Sequence, residues 1–204
     1  MCIYVFILER GLVMKEMLIK YMEKYTTLSE EEQQAIIGEI VIKEFKKGTL
    51  LLKQGDSPTK DCYFVLKGCV RQFYLEVDGK EVTTNFFTEE QAILLFDSEE
   101  ADQGAKYSLN CLEDCVLVLG DFVSEQEMYQ QYKELESMTR RMMEAYLVQA
   151  QNENAKFIRS SPEERYKTMI QNRPDLLKRV PQHQLASYLG MTPESLSRIK
   201  KRIQ

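Results

Sequence analysis

The sequence predicts an α+β chain: an antiparallel β-roll, then one long helix, then a pair of short helices. Three observations carry this. Apolar and polar residues alternate from about Ile40 to Gly120, around an Asp78-Gly79 pair. No Gly or Pro interrupts residues 124–158. Beyond them two helix starts are legible, Ser161-Pro162 and Thr192-Pro193.

The elements follow in order. Residues 15–27 are amphipathic and predicted helical. Ser29 with Glu32 three positions on forms a capping box, which opens a second helix to about Ile40. "IVIKEFKKGTLLLKQGD" and "CYFVLKGCVRQFYLEVDGKEVTTNFF" then alternate in period two, with turns at Gly48, Gly55-Asp56, Gly68 and Asp78-Gly79. Asp-Gly between alternating runs is a strong hairpin signal. "YSLNCL" and "CVLVLG" add two strands, and short strands at this spacing suggest an antiparallel roll or barrel.

Residues 124–158 read as one long helix. Leu135, Met138, Met142, Ala145, Gln149 and Asn152 recur at spacings of three and four, a seam suited to pairing with a second copy. Over its first two turns the seam is equally suited to packing on its own domain. Ser161, Pro162 and Glu164 give a second capping box, for a helix to about Asn172. The organisation expected is a roll with N-terminal helices over residues 14–123, a pairing helix over 124–160 and a terminal module over 161–204.

Composition narrows the class. The 204 residues are 44% hydrophobic, which supports a packed core, and carry 27 Lys+Arg against 32 Asp+Glu. Five scattered cysteines point to free thiols in a reducing, cytoplasmic compartment rather than to a disulfide framework. No stretch has the length of a membrane span. Two readings stay open for residues 1–13: a leader from a wrongly chosen start codon, or a native strand or helical turn. No metal cluster, nucleophile–histidine set or phosphate loop is legible, so an enzyme is not expected. Cys111 and Cys115 lie an even number of residues apart on strands, and packing is the better reading for them.

The chain ends on "PQHQLASYLGMTPESLSRIKKRIQ". A helix-turn-helix needs a small residue where its helices cross, a turn residue tolerant of positive φ, and apolar anchors around both. Ala186 and Gly190 fill the first two positions, and Leu185, Leu189, Met191, Leu196 and Ile199 supply the anchors. Thr192 caps the second helix and Pro193 takes its first position. Glu194, Ser197, Arg198 and Lys201 then share an outward stripe. Arg198 suits the N7 and O6 of guanine, Glu194 the N4 amine of cytosine, and Ser197 a base or phosphate. Lys200, Lys201 and Arg202, with Gln182, His183 and Thr192, are expected at phosphates. Double-stranded DNA is therefore the expected partner. The alternative is a sensing or docking module that regulates a protein partner without reading DNA.

From about Ile40 to Gln204 the chain resembles the cyclic AMP receptor protein and fumarate-nitrate reduction regulator (Crp/Fnr) family of bacterial transcription factors. The resemblance rests on "GTLLLKQGD", "YFVLKGCVRQF", "DGKE", "SPEERY" and "LASYLGMTPESLSR". It implies a cyclic-nucleotide-binding-like jelly roll, a long homodimerisation helix, and a winged-helix-like helix-turn-helix, here with a reduced wing. Half-site reading would fall on Glu194, Ser197 and Arg198. Two-fold symmetric promoter sites and RNA polymerase as partner are implied as well, although no polymerase-contact patch is legible. Pro193 stands where the cyclic AMP receptor type has Arg, so the half-site is expected to resemble that of the fumarate-nitrate branch.

The sensor departs from the family pattern. Nucleotide binders hold the phosphate with a Gly-Glu-Leu turn and a following Arg with a small hydroxyl residue. Here "FFTEEQAILLFDSEEADQGAKYSLNC" has no such turn, and Ala105 or Lys106 stands at the arginine position. Glu89, Glu90, Asp97, Glu99, Glu100 and Asp102 would oppose a phosphate. Cyclic AMP is not expected to bind; a different small molecule, or no ligand, stays open, and the effector is unknown. An iron-sulfur cluster is not expected either, because Cys2 stands alone near the start. No metal or other cofactor is predicted.

Overall fold

In a computed structural model, residues 13, 15–26, 28–57, 61–95 and 104–203 are described. Helix α1 covers residues 15–22, ending earlier than its amphipathic pattern. Helix α2 (Glu30–Glu39) starts on the expected box: the Ser29 hydroxyl accepts the Glu32 amide, and the Glu32 carboxylate accepts the Ser29 amide at 2.9 Å. Eight strands follow: β1 (Val41–Phe45), β2 (Leu50–Leu52), β3 (Asp61–Lys67), β4 (Val70–Leu75), β5 (Glu81–Phe87), β6 (Ala92–Leu94), β7 (Ser108–Cys111) and β8 (Cys115–Asp121). They form two antiparallel four-stranded sheets, ordered β1-β8-β3-β6 and β2-β7-β4-β5. The predicted hairpin joins β4 to β5 at Asp78-Gly79, where Gly79 takes φ 83° and the Glu76 amide bonds the Lys80 carbonyl at 2.9 Å.

Inward positions of the two sheets meet as one core, with Val65, Val70, Leu109, Cys111 and Leu117 fully buried. A second core lies where α1 and α2 cover the roll and joins Leu18, Met22, Ile36 and Ile37 to Leu66 and Val116. Of residues 1–13, whose origin the sequence left open, residues 1–12 fall outside the described residues. Among the described residues, no helix is long and apolar enough to cross a membrane.

The single long helix expected over 124–158 is two helices, α3 (Phe122–Gln131) and α4 (Lys133–Arg159), broken at Tyr132 (φ −123°, ψ 85°). The cause is tertiary. Met128, Tyr129 and Tyr132 pack against the second core from one side of the break, and Leu135 and Met138 from the other. The Tyr132 hydroxyl also reaches the Glu39 carboxylate at 3.3 Å. Bending the chain lets both helices bury apolar area on the roll, which outweighs the helical hydrogen bonds lost.

Leu135 and Met138 were expected on a seam between two copies. They are instead 8% and 5% exposed within their own subunit, because the first turns of α4 lie on α1, α2 and the roll. Met142 is half-buried at the edge of that core, whereas Ala145 and Gln149 remain exposed. Leu135→Ala should therefore cost about 2–5 kcal/mol of folding stability. Chemical denaturation reads this directly, and a loss below a few tenths would contradict the packing.

Candidate nucleic-acid interface

Four short helices end the chain: α5 (Pro162–Asn172), α6 (Leu176–Arg179), α7 (Gln182–Tyr188) and α8 (Pro193–Ile203). Helix α5 opens on the predicted Ser161/Glu164 capping box with Pro162 in its first turn. Leu176, Leu185, Ala186, Leu189 and Leu196, each at most 1% exposed, form the core that α5 to α8 share. Ala186 lets α7 and α8 approach, and the Met191 amide bonds its carbonyl at 3.0 Å.

Gly190 is demanded twice at the turn. Its φ is 69°, and a Cβ there would lie 2.8 Å from Arg165 Nη1. Arg165 fills that space for a reason. It donates to the Leu189 carbonyl at 3.1 Å and to the Phe157 carbonyl at 3.1 Å, and stacks 4.0 Å from the Phe157 ring centroid. The turn is thus tied to the end of α4.

Helix α8 presents the predicted stripe. Its cap is in place, with the Thr192 hydroxyl accepting the Ser195 amide at 3.2 Å. Glu194, Arg198 and Lys201 are exposed, Ser197 is partly exposed, and Leu196 and Ile199 point inward. Ser195, which sequence reading left aside, bridges the stripe to the cap: its hydroxyl meets Thr192 Oγ1 at 3.2 Å and Arg198 Nη2 at 3.2 Å. Glu194 is held below the usual carboxylate range by the backbone amide at the helix start, then by the Thr192 hydroxyl and the Arg198 charge, so it is an acceptor at neutral pH. Gln182, His183 and Thr192 are exposed at or before the starts of α7 and α8, while Lys200 is only partly exposed.

Two cations of this terminal module are already engaged. Arg202 pairs with Glu163 of α5. Arg179 is held by the carboxylates of Glu89, Glu113 and Asp175, with 2.8 Å to Glu89. These partners lie 66 and 90 residues upstream for Glu113 and Glu89, beyond the reach of any local pattern.

Arg179 is one part of a wider attachment of the module to the roll. The core of α5 to α8 continues into Cys69, Phe86 and Leu112. Tyr188 meets Phe86 edge-on at 5.2 Å. Edge strand β5 is covered there, its Thr83 amide donating to the Ser187 hydroxyl at 2.9 Å. Arg173 donates to the Phe86 carbonyl at 2.9 Å and the Thr88 hydroxyl at 3.2 Å. Glu89, expected to repel a ligand phosphate, instead accepts from Arg179 and from the Gly68 amide at 2.9 Å.

Burial raises the Glu89 pKa, but the Arg179 and Gly68 hydrogen bonds outweigh it and hold the carboxyl below its usual range. Its contribution to stability is therefore full at neutral pH and lost as pH falls through that depressed value. Arg179→Ala should destabilise the protein by about 1–3 kcal/mol, less than a fully buried pair because the carboxylates stay partly wet. The difference from wild type should shrink on acidification; a difference independent of pH would contradict the assignment.

Among the described residues no group of three or more His, Cys, Asp or Glu side chains could hold a metal ion. The segment carrying Asp97, Glu99, Glu100 and Asp102 falls outside the described residues. Glu90 is engaged with Lys24 of the α1 region at 2.6 Å. Ala105 is buried in the roll core, its amide bonded to the Asp56 carbonyl at 2.9 Å, and Lys106 is exposed.

The cyclic nucleotide-binding domain family matches residues 42–132. The roll is similar to that family. Solved structures extend the likeness over most of the chain. FixK2 from Bradyrhizobium japonicum superposes with a TM-score of 0.62 at 18% identity, covering 80% of this chain and 84% of its own. A CooA mutant from Carboxydothermus hydrogenoformans gives 0.61 at 14% identity, over 82% and 78%. CLP from Xanthomonas campestris, described as a c-di-GMP responsive global regulator, gives 0.58 at 18%, over 86% and 92%. No curated protein matches the sequence. The roll followed by helices α3 to α8 thus shares its fold with these solved structures.

Proposed function

We propose that this protein is a cytoplasmic, homodimeric transcription regulator that reads two-fold symmetric DNA sites through α8. One observation carries the reading: a capped helix, seated on a helix-turn-helix core, presents Glu194, Ser197 and Arg198 outward on one stripe. In this reading Arg198 and Glu194 contact base edges, and Lys200, Lys201, Gln182, His183 and Thr192 contact phosphates. Arg202 joins them only by leaving Glu163. RNA polymerase is the further partner that such regulation implies. The exposed face of α4, with Arg141, Ala145, Val148 and Asn152 spaced by three and four, supports pairing with a second copy. Leu135 and Met138 take no part in that pairing, and Met142 and Gln149 flank it.

DNA affinity falling steeply with salt tests the reading, because released counterions drive such binding. Affinity that is absent at low ionic strength would favour the protein-docking alternative. The roll is proposed not to bind cyclic AMP, since no arginine stands at Ala105 or Lys106; a different small molecule, or no ligand, stays open. Micromolar cyclic AMP should leave the melting temperature unchanged, as a ligand that does not bind the folded state cannot stabilise it. A clear upward shift would contradict this.

A further inference from the structure

A cleft of about 440 Å³ lies where the end of α4, helix α5 and the end of α7 meet the roll. It is separate from the interior of the roll. The roll lends it only Thr88, Glu89 and Gln91, and the inward residues Val65, Val70 and Leu109 take no part. Phe157, Met169 and Tyr188 make one side apolar, with the Phe157 and Tyr188 ring centroids 6.4 Å apart. A concave site of this size, apolar on one side and with few polar groups, suits a small molecule.

The polar groups on its walls are mostly cations: Lys156, Arg165 and Arg173. Both arginine side chains are partly buried, and the acceptors they bond are neutral. Arg165 donates to the Phe157 and Leu189 carbonyls, and Arg173 to the Phe86 carbonyl and the Thr88 hydroxyl. A guanidinium has five N–H donors, so two acceptors apiece leave N–H groups over. Among the described residues no carboxylate pairs with Arg165, Arg173 or the exposed Lys156. The acids on the walls do not answer this charge. Glu89 and Asp175 are held by Arg179, and Glu153 is exposed and accepts from Gln149 Nε2 at 2.8 Å. Burial raises the Tyr188 pKa, so its hydroxyl stays protonated and able to donate.

We propose that this cleft binds a small organic anion, its phosphate or carboxylate held by Lys156, Arg165 and Arg173 and its apolar part laid on Phe157, Met169 and Tyr188. Hydrogen bonds from a cation to an anion are roughly twice as strong as neutral ones, and partial burial limits their screening by salt. The place gives the ligand leverage on the terminal module. Arg165 also ties the turn at Gly190 to α4, and Arg173 ties the module to the roll. An anion bound to both joins α4, α5, α7 and the roll, and so fixes the helices that carry α8.

The test uses the full-length protein without DNA, so its outcome is separate from that of the DNA-binding proposal. Phenyl phosphate and benzoate, which carry the two acidic heads on a small ring, are added at millimolar concentration, with benzyl alcohol as the uncharged control. At least one anion should raise the melting temperature, because a ligand of the folded state stabilises it, and benzyl alcohol should not. Backbone amide NMR shifts should concentrate at residues 157–160, 168–173 and 188–189. Lys156→Glu alters an exposed side chain and should weaken binding by about tenfold or more, since repulsion replaces attraction. Asn172→Trp, which fills the cleft from the exposed end of α5, should abolish it. Failure of both anions to bind, equal binding of benzyl alcohol, or undiminished binding by Lys156→Glu would each overturn the proposal. Loss in Lys201→Glu rather than in Lys156→Glu would overturn it as well, by placing the anion on the outward stripe of α8.

Discussion

If α8 reads DNA as proposed, Arg198→Ala should lower affinity for the specific site by about 5- to 150-fold, which corresponds to about 1–3 kcal/mol for a lost bidentate contact to guanine. Affinity for random duplex falls much less, because phosphate contacts from Lys200 and Lys201 carry no sequence information. The expected discrimination has a structural cause. Arg198 is fixed by Ser195, and Ser195 by Thr192, before DNA arrives. Little side-chain freedom then remains to be lost on binding. Competition binding with specific and random duplexes measures the ratio. Equal losses on both would remove Arg198 from base reading.

Val148→Glu is expected to produce monomers and to weaken binding to a two-fold site by about 10²- to 10⁴-fold, the effect of losing a linked second half-site contact. Val148 is 59% exposed on α4, in line with Arg141, Ala145 and Asn152. A charge there costs the isolated subunit almost nothing but would be desolvated against a second copy. Sedimentation gives the assembly state, and denaturation checks that the fold is intact. A stable Val148→Glu dimer would move the interface off this face of α4. Leu135→Ala gives the contrast: it weakens the fold through the subunit core and spares pairing.

The parts of the structure legible in the sequence are those decided locally. Ser29 with Glu32, and Ser161 with Glu164, form the capping boxes their spacing announces. Asp78-Gly79 forms the hairpin, and Gly190 takes the positive φ that the turn before α8 requires. The stripe on α8 follows from helical spacing alone, because a helix fixes which residues share a face.

What stayed hidden depends on distant partners. Nothing near Tyr132 marks a break; it arises from Glu39 and from a core built by α1, α2 and the roll. Periodicity showed that Leu135 and Met138 face something apolar, and gave no means of telling their own roll from a second subunit. Arg202 reads as a free phosphate contact until the fold places Glu163 beside it, and nothing near Arg179 announces Glu89 and Glu113. Ser195 was overlooked because its role lies in linking two neighbours of α8, Thr192 and Arg198, rather than in facing outward.

Selection of bound sequences from random duplex DNA, with the stoichiometry of the resulting complex, tests the central claim most directly. The account predicts enriched sites made of two inverted half-sites roughly one helical turn apart, about 10 base pairs from centre to centre. Two protein chains should occupy each site. Recovery of no common sequence at low salt, or of a single half-site held by one chain, would contradict it.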